Sequence, residues 1–530
     1  QYTATTIPPK GFPLVQFSMI EAEDVGLYKF DILSQRGLGH IRETMDIVKE
    51  NHHIEIDIHD VKRFKQDEQV KVRLREARCM GCFYIESPAM RMLLKKLEVD
   101  HYLGLVAASS IIRPGVASSG MMKEYILRFR NMPPSYETPK EIYDILNDTY
   151  GVMVYQEDVI KVAHYFAGLT LGEADMLRRG MSGKYRGRAE FEQVKAKFFS
   201  NCKERGIRDE VTREVWRQIE SFAGYAFSKG HSASYAVESY QSLFLKTYYP
   251  LEHMTGVINN FGGFYRTEFY VHEAKMCGAQ IEAPDINQSE GLTRITGKTI
   301  YLGMGLIAGL EAKVIEAVVN ERMANGPYQS LEDLMKRLSI ATEQLRLLIR
   351  VGALRFTGRS KKQLLWDIYS ILGSEKKSKA AKELFAVERP DFTLPPLYHT
   401  NMDDAYDELE LLGFPLCNAF DMVKEGQWKE PLILASQMHL YNGKVIEMFG
   451  YLVTVKHTQT KHGDHMMFAT FIDRDGYFFD TTHFPQITES FPFRGRGCYK
   501  IKGKVAEEFA FYSLEVTEMH LLDNKGRNDE

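Results

Sequence analysis

Apolar residues recur at three- and four-residue spacing from about residue 41 to residue 375, and at two-residue spacing after Gly413-Phe414-Pro415. The first spacing predicts amphipathic helices and the second half-buried strands. Residues 41–285 therefore read as a mainly helical domain, with loops at Arg113-Pro114-Gly115 and Asn131-Met132-Pro133-Pro134. Residues 286–375 change character. Short helices there alternate with apolar-glycine turns, at Ile307-Ala308-Gly309-Leu310 and at Val351-Gly352-Ala353-Leu354. Residues 376–430 open on a charged, proline-bearing stretch and read as a linker. Within 431–525 the alternation predicts strands at Val445–Val455, Met466–Ile472, Tyr477–Phe484, Gly497–Val505 and Phe509–Val516. Such a set suits a small OB-like barrel, and an SH3-like barrel fits the same pattern. In residues 1–40, Pro8, Pro9 and Pro13 exclude regular helix. Val25–Leu33 predicts a short strand with Lys29 and Asp31 on one face, opposite Phe30 and Ile32. The fold class is multidomain α+β.

Composition adds bounds. At 530 residues, 44% hydrophobic and 26% charged, the chain has material for three or four domains of about 100–200 residues each. Six unevenly spaced cysteines suggest a reducing compartment, and no apolar run or signal pattern suggests a membrane, so a cytoplasmic location is expected. The chain opens on Gln1 rather than Met, which suggests a piece of a longer protein. A net charge of −4 gives no bulk attraction to nucleic acid, so any phosphate affinity must come from local clusters.

Two such clusters stand out. Phe227-Ser228-Lys229-Gly230-His231-Ser232 sets a cation, Lys229, and a titratable donor, His231, among small residues that let a polyanion approach the backbone. Arg178 and Arg179 open a basic run that includes Gly180 and Gly183, and guanidinium groups on a glycine-bearing loop suit a triphosphate. Glu190, Glu192 and Glu204 within that run also fit a solvated helix face. Lys29 beside Asp31 fits either a steadied metal-binding carboxylate or a plain salt bridge. Cys79-Met80-Gly81-Cys82 has no second ligand pair at zinc spacing and reads as structural. The apolar-glycine turns fit helix-hairpin-helix units, which offer backbone amides to DNA phosphates, with Gly309, Lys313 and Gly352 as candidate contacts; a generic helical bundle fits as well. On the barrel, Lys456 and Lys461 with neighbouring aromatics suit single-stranded DNA.

Taken together these segments resemble the DNA polymerase III alpha subunit family of bacterial replicative (C-family) polymerases, in the family's order and over nearly the whole chain. Gly26-Leu27-Tyr28-Lys29-Phe30-Asp31 resembles the palm segment that holds the third catalytic aspartate. Gly81-Cys82-Phe83-Tyr84-Ile85-Glu86-Ser87, Arg113-Pro114-Gly115, Tyr155-Gln156-Glu157, Gly172-Glu173-Ala174-Asp175 with Leu177-Arg178-Arg179, and Phe222-Ala223-Gly224-Tyr225 with Phe227-Ser228-Lys229-Gly230-His231 resemble fingers motifs. Departures are Ile32-Leu33-Ser34-Gln35 after the palm strand, Gly230 where Ser is common, and Glu311 where the first hairpin usually has Gly. Gly262-Gly263-Phe264-Tyr265 is closer to the error-prone paralogues.

The resemblance implies a palm remnant over 1–40, fingers over 41–285, a helix-hairpin-helix module over 286–375 and an OB-like domain over 431–525. It implies DNA-directed DNA polymerisation by two-metal chemistry, with Mg²⁺ on Asp31, Lys29 offsetting charge, and Arg178, Arg179, Lys229 and His231 on the dNTP. Two further family aspartates have no counterpart in residues 1–24, so this chain alone is expected to be inactive. Implied partners are primer-template DNA, dNTP, other replisome subunits and a sliding clamp, the last through Leu384-Phe385 in the linker. A non-catalytic DNA-binding scaffold of the same modules is the competing reading, and triphosphate binding separates the two.

Overall fold

The computed structural model describes every residue except 1–2, 9–10, 29, 31, 33–35, 113–119, 137, 181–187, 222–227, 379–397, 429, 461 and 528–530, and only the backbone at 19–20, 188–189, 221 and 372–378. Helices dominate up to residue 276. Those that position the site are α1 (Arg36–His52), α2 (Pro88–Leu97), α3 (Gln156–Lys161), α4 (Leu171–Gly180), α5 (Lys229–Tyr248), α6 (Pro250–Asn260) and α7 (Thr267–Met276). Helix α5 runs through the middle of this group. Its Tyr240, Leu243 and Leu245 are fully buried in a core shared with Phe64, Leu74, Leu94 and Leu105.

The tightest point of the helical part is the turn at Met80-Gly81, where Gly81 adopts φ +76°. Lys246 of α5 is wholly buried; its ammonium donates to the Met80 carbonyl and pairs with Glu273 of α7. Glu86 accepts from the Gly81 amide at 2.8 Å, the Phe264 amide at 2.6 Å and the Tyr270 hydroxyl at 2.7 Å. His253 of α6 donates from Nε2 to the Gly81 carbonyl at 3.0 Å. Three polar side chains, Lys246, Glu86 and His253, thus satisfy one buried turn, as buried polar groups require. The flanking Cys79 and Cys82 are buried thiols, and burial pushes Cys82 up to about 12. They are structural, as their spacing suggested.

A small sheet, β1 (Gln280–Glu282), β2 (Arg294–Thr296) and β3 (Thr299–Tyr301), has order β1-β3-β2. It precedes the hairpin module, whose helices include α8 (Ala312–Asn325), α9 (Thr342–Arg350) and α10 (Lys361–Ser378); α11 (Asn401–Leu411) packs back on it. The five expected strands all form: β4 (Val445–Gln459), β5 (His465–Ile472), β6 (Phe478–His483), β7 (Cys498–Glu508) and β8 (Phe511–Leu521). They close as β8-β6-β5-β4-β7, with β6 and β8 parallel and every other pair antiparallel. This Greek-key order is that of an OB barrel. Phe509 and Ala510, expected at the start of the last strand, form instead the two-residue turn before it, with φ +55° and +60°.

The barrel is docked on the helices. Tyr451 donates to Glu268 at 2.6 Å, His272 to the Gly476 carbonyl at 2.9 Å, and Lys96 pairs with Glu508. No helix among the described residues is long and apolar enough to cross a membrane.

The strand expected over Val25–Leu33 is not found among its described residues. A helix, Met19–Asp24, ends at Val25, and Tyr28, Phe30 and Ile32 are 85, 83 and 95% exposed. Alternation specifies a strand only where a neighbour supplies the ladder and a core receives the apolar face. No described strand does so here. Asp31 and Lys29 lie outside the described residues, as do Arg113-Pro114-Gly115. The expected palm–fingers boundary at residue 41 falls inside α1.

Burial holds the His253 imidazole neutral, its pKa lowered from 6.5 to about 3. As pH falls below 6.5 the unfolded chain binds a proton that the folded imidazole refuses until about pH 3, so stability is lost with acidification across that window. Between pH 7 and pH 5 this one group should cost about 2 kcal/mol. A His253→Gln variant should lack that component, read as a shallower drop in the urea midpoint over the same interval.

Candidate nucleotide site

Three consecutive residues at the start of α3 organise the cations singled out from the sequence. Asp158, almost fully buried, accepts from the Val154 and Tyr155 amides at 2.9 Å each and locks the helix start. Gln156 accepts from the Arg178 guanidinium at 3.1 Å. Both Glu157 oxygens receive the backbone N–H of Lys229, at 3.1 and 2.9 Å. One short helix thereby holds the Arg178 guanidinium, at the C-terminal end of α4 beside Arg179, and the Lys229 backbone, at the N-terminal end of α5 two residues before His231.

Each of these cations already faces a carboxylate or a ring. Arg178 donates to Asp175 at 2.9 Å and Arg179 also binds Asp175. Burial works against the Asp175 carboxylate, yet the two guanidinium groups hold it below the ordinary range. Lys229 Nζ lies 2.9 Å from Asp148 and 5.2 Å from the Tyr155 ring centroid. That hydrogen bond and charge lower the Asp148 pKa. Ser228 caps α5, accepting from the His231 amide at 3.3 Å. The His231 ring packs 4.4 Å from Tyr235, which meets Tyr84 at 4.8 Å and Phe83 at 5.3 Å. Further along α5, burial pushes the Glu238 carboxyl up to about 7. A helix N-terminus with nearby ammonium and guanidinium groups is suited to a polyphosphate, which would exchange with the resident carboxylates.

The hairpin turns are built as expected, with Gly309 at φ +81° and Gly352 at φ +82°, a region costly for any residue with a Cβ. Their polar groups, however, are engaged within the chain. The Ala308 amide donates to the Leu411 carbonyl at 2.7 Å. The Glu311 amide donates to Gln344 Oε1 at 2.8 Å, while Gln344 Nε2 donates to the Gly309 carbonyl at 3.0 Å. Lys313 pairs with Glu311 at 2.7 Å. Beside the second turn, Arg350 pairs with Asp407 and Glu410, and Lys361 with Asp404, all three acids on α11. On the barrel, Lys456 is exposed and sits opposite Phe468, which is 45% exposed. Lys461, Leu384 and Phe385 lie outside the described residues.

Comparison with known proteins agrees with this architecture. Residues 37–206 match the bacterial DNA polymerase III alpha subunit finger domain, and residues 278–364 match a helix-hairpin-helix motif. The DNA polymerase III subunit alpha of Aquifex aeolicus (strain VF5) is 30% identical over 477 residues, which are 88% of this chain and 40% of that protein. Over most of its length the chain is similar to the bacterial DNA polymerase III alpha subunit family. The same subunit of Staphylococcus epidermidis (strain ATCC 35984) is 31% identical over 474 residues, and that of Staphylococcus aureus (strain MSSA476) 31% identical over 470. In both cases the match covers 87% of this chain and 43% of the relative, so the chain spans about two fifths of the length of these proteins.

Within the finger-domain match lie Arg178, Arg179 and all of α3, whereas Lys229 and His231 lie beyond it and pack onto it. Sequence reasoning singled out the cations and, within motifs, Gln156, Glu157 and Asp175, but not which cation each of these meets. The Asp175 pairing was open to detection, since it stands three and four residues before the arginines on one helix. Asp148 and Glu157, 81 and 72 residues from Lys229, leave no local signal. Gln344, also missed, braces the first hairpin. Replacing Gln344 with Ala should leave the Glu311 amide unsatisfied and lower unfolding stability by about 1–3 kcal/mol, measurable by urea denaturation.

Proposed function

We propose that this chain provides the dNTP-binding fingers and the DNA-holding modules of a template-directed DNA polymerase. In the reaction, the 3′-oxygen of a primer forms a bond to the α-phosphorus of a dNTP. The bond from that phosphorus to the bridging oxygen breaks, and pyrophosphate leaves. The observation that carries this reading is that α3 binds both the Arg178 guanidinium and the backbone of Lys229, since a triphosphate needs several cations held at fixed separation. Arg178 and Arg179 would release Asp175, and Lys229 would release Asp148, as the phosphates arrive. Either Lys229 or His231 would donate a proton to the leaving pyrophosphate.

Family chemistry implies Mg²⁺. Among the described residues no group of three or more His, Cys, Asp or Glu side chains could hold a metal. Asp31, the one candidate ligand, lies outside them. No step is therefore assigned to the ion. The hairpin module and the barrel, with Lys456 and Phe468 on its surface, would hold primer-template DNA. Clamp contact through Leu384-Phe385 and assembly with other replisome subunits belong to the same proposal.

Equilibrium binding of a fluorescent dATP analogue to the 530-residue chain tests the reading. Arg178→Ala and Lys229→Ala should each weaken binding by about tenfold or more, the scale of a lost charge-assisted hydrogen bond. Absence of triphosphate binding would favour the DNA-binding scaffold instead.

A further inference from the structure

We infer that Gln156 and Glu157 are positioning residues for nucleotide binding: through two neighbouring side chains, α3 sets the distance between the guanidinium pair and the Lys229–His231 pair. The inference rests on the nucleotide reading above. Successive helical residues point about 100° apart, so neighbours on one helix can hold two different elements. Gln156 reaches the end of α4 and fixes Arg178 at 3.1 Å. Glu157 reaches the start of α5 and binds the Lys229 N–H through both oxygens. The helix they share is itself immobilised by buried Asp158. Neither side chain is a cation or a nucleophile. Each holds a group that would meet the phosphates.

The chemistry of Glu157 separates position from charge. A carboxylate beside the phosphate cations repels a triphosphate and lowers its affinity through charge alone. It also complements the positive end of α5 and tethers the first amide of that helix. If tethering dominates, removing the side chain harms binding, whereas exchanging carboxylate for carboxamide keeps an acceptor and relieves the repulsion.

The test uses the 530-residue chain with inorganic tripolyphosphate as the calorimetric probe, and hydrogen exchange at the amides of residues 229–232 as a readout independent of any ligand. Glu157→Ala should weaken tripolyphosphate binding about fivefold to tenfold and speed exchange at those amides, on the scale of one lost charged hydrogen bond. Glu157→Gln should bind within about twofold of the parent or more tightly, with exchange unchanged. Gln156→Ala should weaken binding to a similar degree without altering exchange at 229–232. Equal behaviour of the Ala and Gln variants at position 157 would overturn the positioning role while leaving the nucleotide reading intact. A parent chain that fails to bind tripolyphosphate would overturn both, even with exchange altered as expected.

Discussion

Taking an ammonium group out of water carries a penalty of several kcal/mol, and Lys246 is tolerated only because its surroundings are complete. It binds the Met80 carbonyl and Glu273. Burial works against its charge, and the Glu273 carboxylate nevertheless holds its pKa above the ordinary value. Because Glu86 and His253 grip the same turn from other directions, α5, α6 and α7 cannot shift independently of it. That constraint propagates. Helix α5 carries Lys229 and His231 at one end and Lys246 near the other, so the buried pair fixes the line along which the phosphate cations lie. Helix α7 carries Glu273 and also presents Glu268 and His272 to the barrel. One buried turn therefore relates the candidate nucleotide site to the barrel.

A second theme is that cations here come already matched to acids. Arg178 and Arg179 share Asp175, Lys229 faces Asp148, and Arg350 and Lys361 face α11. The more exposed of these pairs, Arg179 with Asp175 and Lys229 with Asp148, contribute little to stability. They do hold long side chains in defined rotamers and keep a chain of near-balanced charge from binding polyanions indiscriminately. A ligand that displaces the acids must bring comparable charge in a comparable geometry, which favours a triphosphate over a single anion. The same logic bears on the hairpin module. Its glycine turns have the backbone form of phosphate-contacting hairpins, but Gln344 and the last carbonyl of α11 occupy amides in the first turn, and acids of α11 cover cations beside the second.

Several features could be read directly from residue order because they depend on neighbours a few positions apart. Alternation located all five barrel strands, and the apolar-glycine pattern located the two turns at Gly309 and Gly352. The paired arginines and the Ser-Lys-Gly-His segment pointed, by residue type alone, to the candidate nucleotide site. The same local reasoning failed at Val25–Leu33, where the alternating pattern has no strand to pair with among the described residues, and at Phe509-Ala510, where two ordinary residues take the turn conformation that closes β7 onto β8.

The sequence by itself thus determined the succession of helical, hairpin and barrel modules and the cations they carry, since periods of two and 3.6 residues are set by backbone geometry within each segment. Only the tertiary structure decided which acids those cations meet, which amides the hairpins keep for themselves, and that α3 joins α4 to α5. Those pairings link residues tens of positions apart, and they arise when buried surfaces close against one another, a step that no local spacing encodes.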